Sequence, residues 1–456
     1  MKKFSFYIFS CLIIALSLCL GVSFFQKEDV VVVEAASSPQ TFDTAIKALN
    51  NGETAVVNNT LIFINFQGES NTLLVDNSLY EAYPYEVIED TYNNSEYSVK
   101  NYFETTSNGK LSLNTNILYN GPEGTPFTLN YTRDYFITGF GTTSTLQRAI
   151  LDVIEDAFRV YAQKYDLDTN DDGFIDSVTF MLTSDPAEQN VAWGTPLWAH
   201  SSTISSSIYI TDNSGSSLRF GKYNLATVEI EDYGDDGSIP QDPLVDSNGI
   251  KIAESSTYAH ELSHVLGLPD YYIYDDYSNT LDDADEVPVG LWDLMAYNYY
   301  QMPQHSLAYN KLMMGYIEDN NVIEITENDT YELYPVSYWE INQLYDNDVY
   351  AYYIQGQGDY QDQYFYIEYR KNDGLFDSML PTSGLVVYRV DTNVINTTYS
   401  GVATGNYMAP PYNIQIMRNE VSGYTTSDLN YFGQGYIKMY TANGGKNFYY
   451  YSNVTE

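Results

Sequence analysis

Tyr258-Ala259-His260-Glu261-Leu262-Ser263-His264-Val265-Leu266-Gly267-Leu268-Pro269-Asp270 is the stretch from which the rest of the chain can be ordered. His260 and His264 stand four apart, so on a helix both imidazoles share one face about a turn from each other. They can then take adjacent corners of a tetrahedral zinc site, with Glu261 beside the open corner. Glu254, Ser255, Ser256 and Thr257 supply helix-start chemistry just upstream. Gly267 follows His264 at the place where a helix ends in a left-handed residue, and Pro269 keeps the helix from resuming. The chain then doubles back and brings Asp270 round as a third ligand, with Asp275, Asp276 and Glu286 as the other candidates.

In this arrangement Glu261 is a general base and not a ligand. Zinc lowers the pKa of a bound water toward about 7, Glu261 takes the proton, and the same carboxyl returns it to the amine leaving a cleaved peptide bond. A carboxylate third ligand makes that water less acidic than three histidines would, which raises the load on Glu261. The chain has only 4 histidines, and two of them in this spacing around a glutamate weigh against coincidence. The other two, His200 and His305, lack ligand spacing and read as hydrogen-bonded structural residues, although His200 could line a cleft.

Downstream, Gly290-Leu291-Trp292-Asp293-Leu294-Met295-Ala296-Tyr297 reads as a tight turn that sets Met295 under the metal as an apolar floor. Tyr297 is either a donor to the oxyanion of the transition state or an ordinary packed tyrosine. Upstream, the segment from Asp168 to Asp176 has oxygen ligands at alternate positions (Asp168, Asn170, Asp172, Asp176) and Gly173 at the sixth, as calcium loops do. Thr179 stands where such a loop carries its bidentate glutamate, so the segment is a calcium site or an acidic turn before the strand at 177–182.

At 456 residues the chain is long enough for about two to three domains. Residues 61–66 have the composition of a buried strand, Ser98 caps a helix carrying Val99, Tyr102 and Phe103, and Asn108-Gly109 turns into a strand at 110–118. Residues 144–164 repeat apolar positions at helical spacing. From Val322 onward the pattern changes to short alternating strands such as 364–369 and 384–390, rich in tyrosine. The many tyrosines suit strands with one wet face, or alternatively sugar-binding platforms. The expected class is therefore α+β: a zinc-dependent catalytic domain at 61–318 and a β-rich, sandwich-like module at 319–456.

Lys2 and Lys3 precede an apolar run through Phe25, and small residues Ala35 and Ala36 follow, the layout of a signal peptide over 1–36 with a mature start near Ser37. A single membrane anchor and a lipoprotein at Cys19 are the competing readings; the residues before Cys19 lack the small side chain that lipid attachment needs. Residues 37–60 are polar and read as a linker or short prosegment. Both cysteines, Cys11 and Cys19, lie in the leader, so the mature protein has no disulfide. The net charge of −41, from 61 acidic and 20 basic residues, argues against nucleic acid as a partner and fits a dispersed extracellular protein without a stable membrane anchor. Protein or peptide substrates are expected; the oligomeric state is not readable.

The motifs resemble the immune inhibitor A family of secreted bacterial metalloproteases, whose pattern HExxHxxGxxD is matched from His260 to Asp270. Val99, Tyr102 and Phe103 with Ser107, Gly109 and Leu111 are similar to family patterns, as are Asp172-Gly173 with Asp176, Trp198 with His200, and the segment from Gly290 to Ala296. Pro303, Lys311 and Gly315-Tyr316 look like its closing helix, and Tyr366 to Arg370 with Pro381 and 384–391 like its following β-module. The resemblance covers about residues 60–392 and implies a metzincin-like catalytic domain with zinc, structural calcium, and cleavage of proteins outside the cell. Gln67-Gly68-Glu69 departs from the Ser-Asp expected after the first strand, which puts one cation ligand in doubt. Two rival readings are a metalloprotease fold kept as a surface or glycan-binding protein without turnover, and a zinc hydrolase of small amides or sugars. The retained Glu261 weighs against the first.

Overall fold

The computed structural model describes residues 54–69, 84–183, 196–204, 208–228, 245–272, 288–296, 302–341, 348–380, 383–392, 413–416, 439–440 and 448–449. The expected leader with Cys11 and Cys19, the alternative ligand candidates Asp275, Asp276 and Glu286, and Tyr297 lie outside the described residues. The protein is mixed α/β, with several sheets and modest helical content.

The first sheet contains β1 (Ala55–Asn65), β2 (Leu111–Leu118), β3 (Phe127–Thr128), β4 (Ser177–Leu182), β5 (His200–Thr203) and, after the hairpin of β6 (Tyr209–Thr211) and β7 (Ser217–Arg219), β8 (Lys222–Thr227). Its order is β2-β1-β4-β8-β5; the first four run parallel and β5 closes the edge antiparallel to β8. β1 begins at Ala55, inside the stretch whose polar composition reads as linker. Asn59 Oδ1 accepts from the Ser177 and Thr179 hydroxyls; Asn58 Nδ2 donates to Asp166 O, its Oδ1 accepts from Asn114 Nδ2, and its backbone N–H donates to Asp176. Asparagines paired in this way sit in a buried strand at little cost.

Alternation along these strands feeds two cores. Ile62, Ile64, Val178, Phe180 and Leu225 face α2 (Thr143–Tyr161), which presents Leu146, Ile150, Ile154 and Phe158. Leu61, Phe63, Met181 and Ala226 face the other way, into the cluster holding α1 (Val99–Thr106) and α3 (Ser255–Val265). The expected cap at Ser98 forms, its hydroxyl accepting from Asn101 N at 3.2 Å, and α2 is capped by Thr142, whose hydroxyl accepts from Thr145 N at 3.2 Å.

After α4 (Ala308–Met313), the second sheet comprises β9 (Val322–Glu324), β10 (Ala351–Gln355), β11 (Gln363–Arg370), β12 (Gly384–Asp391), β13 (Ile414–Ile416), β14 (Met439–Tyr440) and β15 (Phe448–Tyr449). Where a sandwich is expected, the described residues form one sheet in the order β15-β14-β12-β11-β10-β9, with β13 also on β12. Its inner face is not walled off from the first core. Tyr366, Val386, Tyr388 and Ala308 belong to the same buried cluster as Leu262 of α3 and Met295. No helix among the described residues is long and apolar enough to cross a membrane.

Candidate metal centre

α3 is buried along nearly its whole length, so its sequence shows chemistry instead of a wet face and a dry one. It ends as Gly267 permits. Gly267 takes φ +94°, its N–H donates to His264 O at 2.9 Å, and Leu268 N reaches back to Ser263 O at 3.0 Å. Lys222 of β8 places its ammonium 3.4 and 3.3 Å from the carbonyls of His264 and Val265, complementing the negative end of the helix. The reversal carries Asp270 back over the helix. Asp270 Oδ1 stands 3.0 Å from His260 Nε2 and 3.2 Å from His264 Nε2.

The other nitrogen of each ring is fixed by backbone. His260 Nδ1 lies 2.9 Å from Leu294 O, and His264 Nδ1 lies 2.7 Å from Leu268 O. A carbonyl oxygen only accepts, so each Nδ1 carries the hydrogen and each neutral ring turns its Nε2 lone pair toward the carboxylate. Three acceptors converging in a buried place require a cation among them, either a proton or a metal. Two imidazole nitrogens and a carboxylate are a donor set that zinc accepts, and the backbone acceptors behind the rings are the usual outer support of histidine ligands. Among the described residues this is the one group of three His, Cys, Asp or Glu side chains placed to hold a metal ion, with ligand atoms all within 4.8 Å of one another.

Glu261, also buried, leaves Oε2 without a hydrogen-bond partner. Burial pushes its carboxyl up to about 8, with the charge of His260 opposing and that of Asp270 adding to the shift. Burial disfavours protonated His264, yet the charge and hydrogen bond of Asp270 raise it above the usual histidine range. Asp270 loses stability as an anion through burial, but the two histidines hold it far below the usual carboxylate range.

The segment 292–296 is hydrogen-bonded to both His260 and the residue after Asp270. Leu294 O holds His260, and Met295 O accepts from Tyr271 N at 2.7 Å, one residue past Asp270. The Met295 side chain is fully buried in the core. Asp293 fixes the turn by accepting from Met295 N at 2.8 Å, Leu307 N at 2.7 Å and Asn310 Nδ2 at 2.7 Å; Tyr271 in turn donates to Asn310 at 2.8 Å. Sequence reading passes over Asp293 and Asn310 because nothing in their spacing points to each other. The Tyr272 ring stacks on His260 at 6.2 Å.

The segment at 168–176 is only partly convergent. The Asp168 carboxylate accepts from Asp172 N and Gly173 N, and Asn170 and Asp172 are hydrogen-bonded to each other. The structure turns Asp176 elsewhere: its oxygens accept from Asn58 N, Thr169 N and the Thr169 hydroxyl. Glu69, at the departure after β1, is paired with Arg133 at 2.8 and 3.0 Å. Both remaining histidines are fully engaged: His200 with Trp198 O and the Tyr223 hydroxyl, His305 with Glu340 and Lys311. Compared with known proteins, the sequence matches no family model and no curated protein.

Proposed function

We propose that the chain is a secreted zinc-dependent endopeptidase of the metzincin-like, immune inhibitor A-like kind, hydrolysing peptide bonds of extracellular proteins. The observation that carries this reading is the convergence of His260, His264 and Asp270 with Glu261 Oε2 left unpartnered at the same site. Zinc held by the three side chains would supply Lewis acidity toward a carbonyl oxygen and toward water. Glu261 Oε2, unpartnered in the fold, would accept the proton of an attacking water. The same oxygen then returns the proton to the departing amine. His260 and His264 do not shuttle protons, because their Nδ1 hydrogens are committed to backbone carbonyls. An extended substrate is favoured by β5, which among the described residues is the edge strand of the first sheet and packs beside α3.

The test is cleavage of a quenched, denatured protein by wild type, by chelator-treated protein and by Glu261→Ala. Activity is expected to vanish with chelator, to return with zinc, and to fall by at least about 10²–10⁴-fold in Glu261→Ala while zinc stays bound. Wild type that binds zinc and cuts nothing would leave the catalytically silent binding protein as the better reading.

A further inference from the structure

We propose that the second sheet supplies a positioning residue for the metal centre: Arg370 of β11 holds the turn at 292–296 in the place where His260 and Asp270 meet. The inference rests on reading that cluster as a metal centre. Alternation along β11 turns Tyr366, Glu368 and Arg370 to the buried face. Two opposite charges stand there where apolar side chains would pack the core more cheaply.

The guanidinium is fully buried and each of its N–H groups has an acceptor. Nε and Nη2 donate to Asp377 at 2.9 and 2.7 Å, and Nη1 reaches Glu368 at 3.3 Å, all within the second-sheet segment. The other two donors leave that segment. Nη1 donates to Trp292 O at 2.6 Å and Nη2 to His305 O at 3.1 Å. Glu368 does the same from the acceptor side, taking Ala308 N at 2.7 Å while the Tyr388 hydroxyl donates to it at 3.0 Å. Arg370 thus grips both ends of the segment 292–305. Two residues beyond Trp292, Leu294 O orients the His260 ring; one further, Met295 O anchors the residue after Asp270. A planar fork fixed at Asp377 sets direction as well as distance, which neither a hydrophobic contact nor a point charge does.

The experiment compares wild type, Arg370→Lys, Asp377→Asn and Val386→Ala for folding by circular dichroism, zinc affinity, and the visible spectrum of the cobalt-substituted protein. Lysine keeps the charge but cannot span Asp377, Trp292 O and His305 O together. Val386→Ala, in the adjacent β12, loosens the same core without removing any of the hydrogen bonds that hold the turn. Arg370→Lys is expected to bind zinc about tenfold more weakly and to shift the cobalt bands. Asp377→Asn, a milder change that keeps a neutral acceptor, should fall between it and wild type and serves alone if lysine does not fold. Val386→Ala should lose stability with affinity and spectrum unchanged. Folded Arg370 and Asp377 variants with wild-type affinity and bands would overturn the proposal alone; wild type that takes up no zinc would overturn the metal reading with it.

Discussion

Gly267 is the residue on which the placing of Asp270, the proposed third ligand, depends. Its φ of +94° lies where a side chain strains the backbone, and the two hydrogen bonds that end α3 form only with that turn. Gly267→Ala is therefore expected to lower stability by about 1–2 kcal/mol and to weaken zinc binding, because Asp270 is placed by the same reversal. An unchanged urea midpoint with unchanged zinc affinity would show that the turn does not control the ligand. His260, Glu261, His264, Gly267 and Asp270 were all legible, since helical spacing and a helix stop are local properties. What orients the rings was not. The acceptors are carbonyls of Leu268 and Leu294, and every residue carries a carbonyl; only the tertiary fold decides which two are used.

At the scale of elements, α2 and α3 pack on opposite faces of the first sheet, and stability and metal chemistry should separate along that division. Phe158 of α2 is fully buried among Ile154, Phe220 and their neighbours. Phe158→Ala is expected to cost about 3–5 kcal/mol of unfolding free energy while the folded protein keeps wild-type zinc affinity. A parallel loss of affinity would show that the sheet transmits strain from one face to the other. α2 could be read from periodicity because one stripe is apolar and the rest wet. α3 could not, being buried nearly all round, and was found through its histidines instead. The first residues of β1 were hidden because Asn58 and Asn59 look like linker until their partners Asp176, Ser177 and Thr179 are known. In β11 the clue was present: Glu368 and Arg370 occupy the inward phase of an alternating strand, where a charge needs a buried partner.

Over the whole molecule, the buried charges between the two sheets make stability depend on pH through His305. This ring is fully buried, with Nδ1 beside the Lys311 ammonium at 2.9 Å and Nε2 on Glu340. Burial, then the charges of Lys311 and Arg370, hold its pKa well below the ordinary histidine value of 6.5. Below 6.5 the unfolded chain gains a proton that the folded chain refuses, so protons favour unfolding and stability falls as pH drops until the folded pKa is reached. The slope is about 1.4 kcal/mol per pH unit for one such group. His305→Gln keeps an acceptor for Lys311 and a donor for Glu340 but cannot take up the proton. Urea unfolding of metal-free wild type and variant at pH 6.5 and 5.5 reads the cluster of His305, Lys311 and Glu340, because the general charge of the chain and the more distant His260 and His264 cancel in the difference. Between those values wild type is expected to lose about 1 kcal/mol more than His305→Gln, because the unfolded histidine is already half protonated at pH 6.5. If the two proteins lose stability in parallel, His305 does not stay neutral in the fold, and the charge balance drawn for Lys311, Glu340 and Arg370 is wrong.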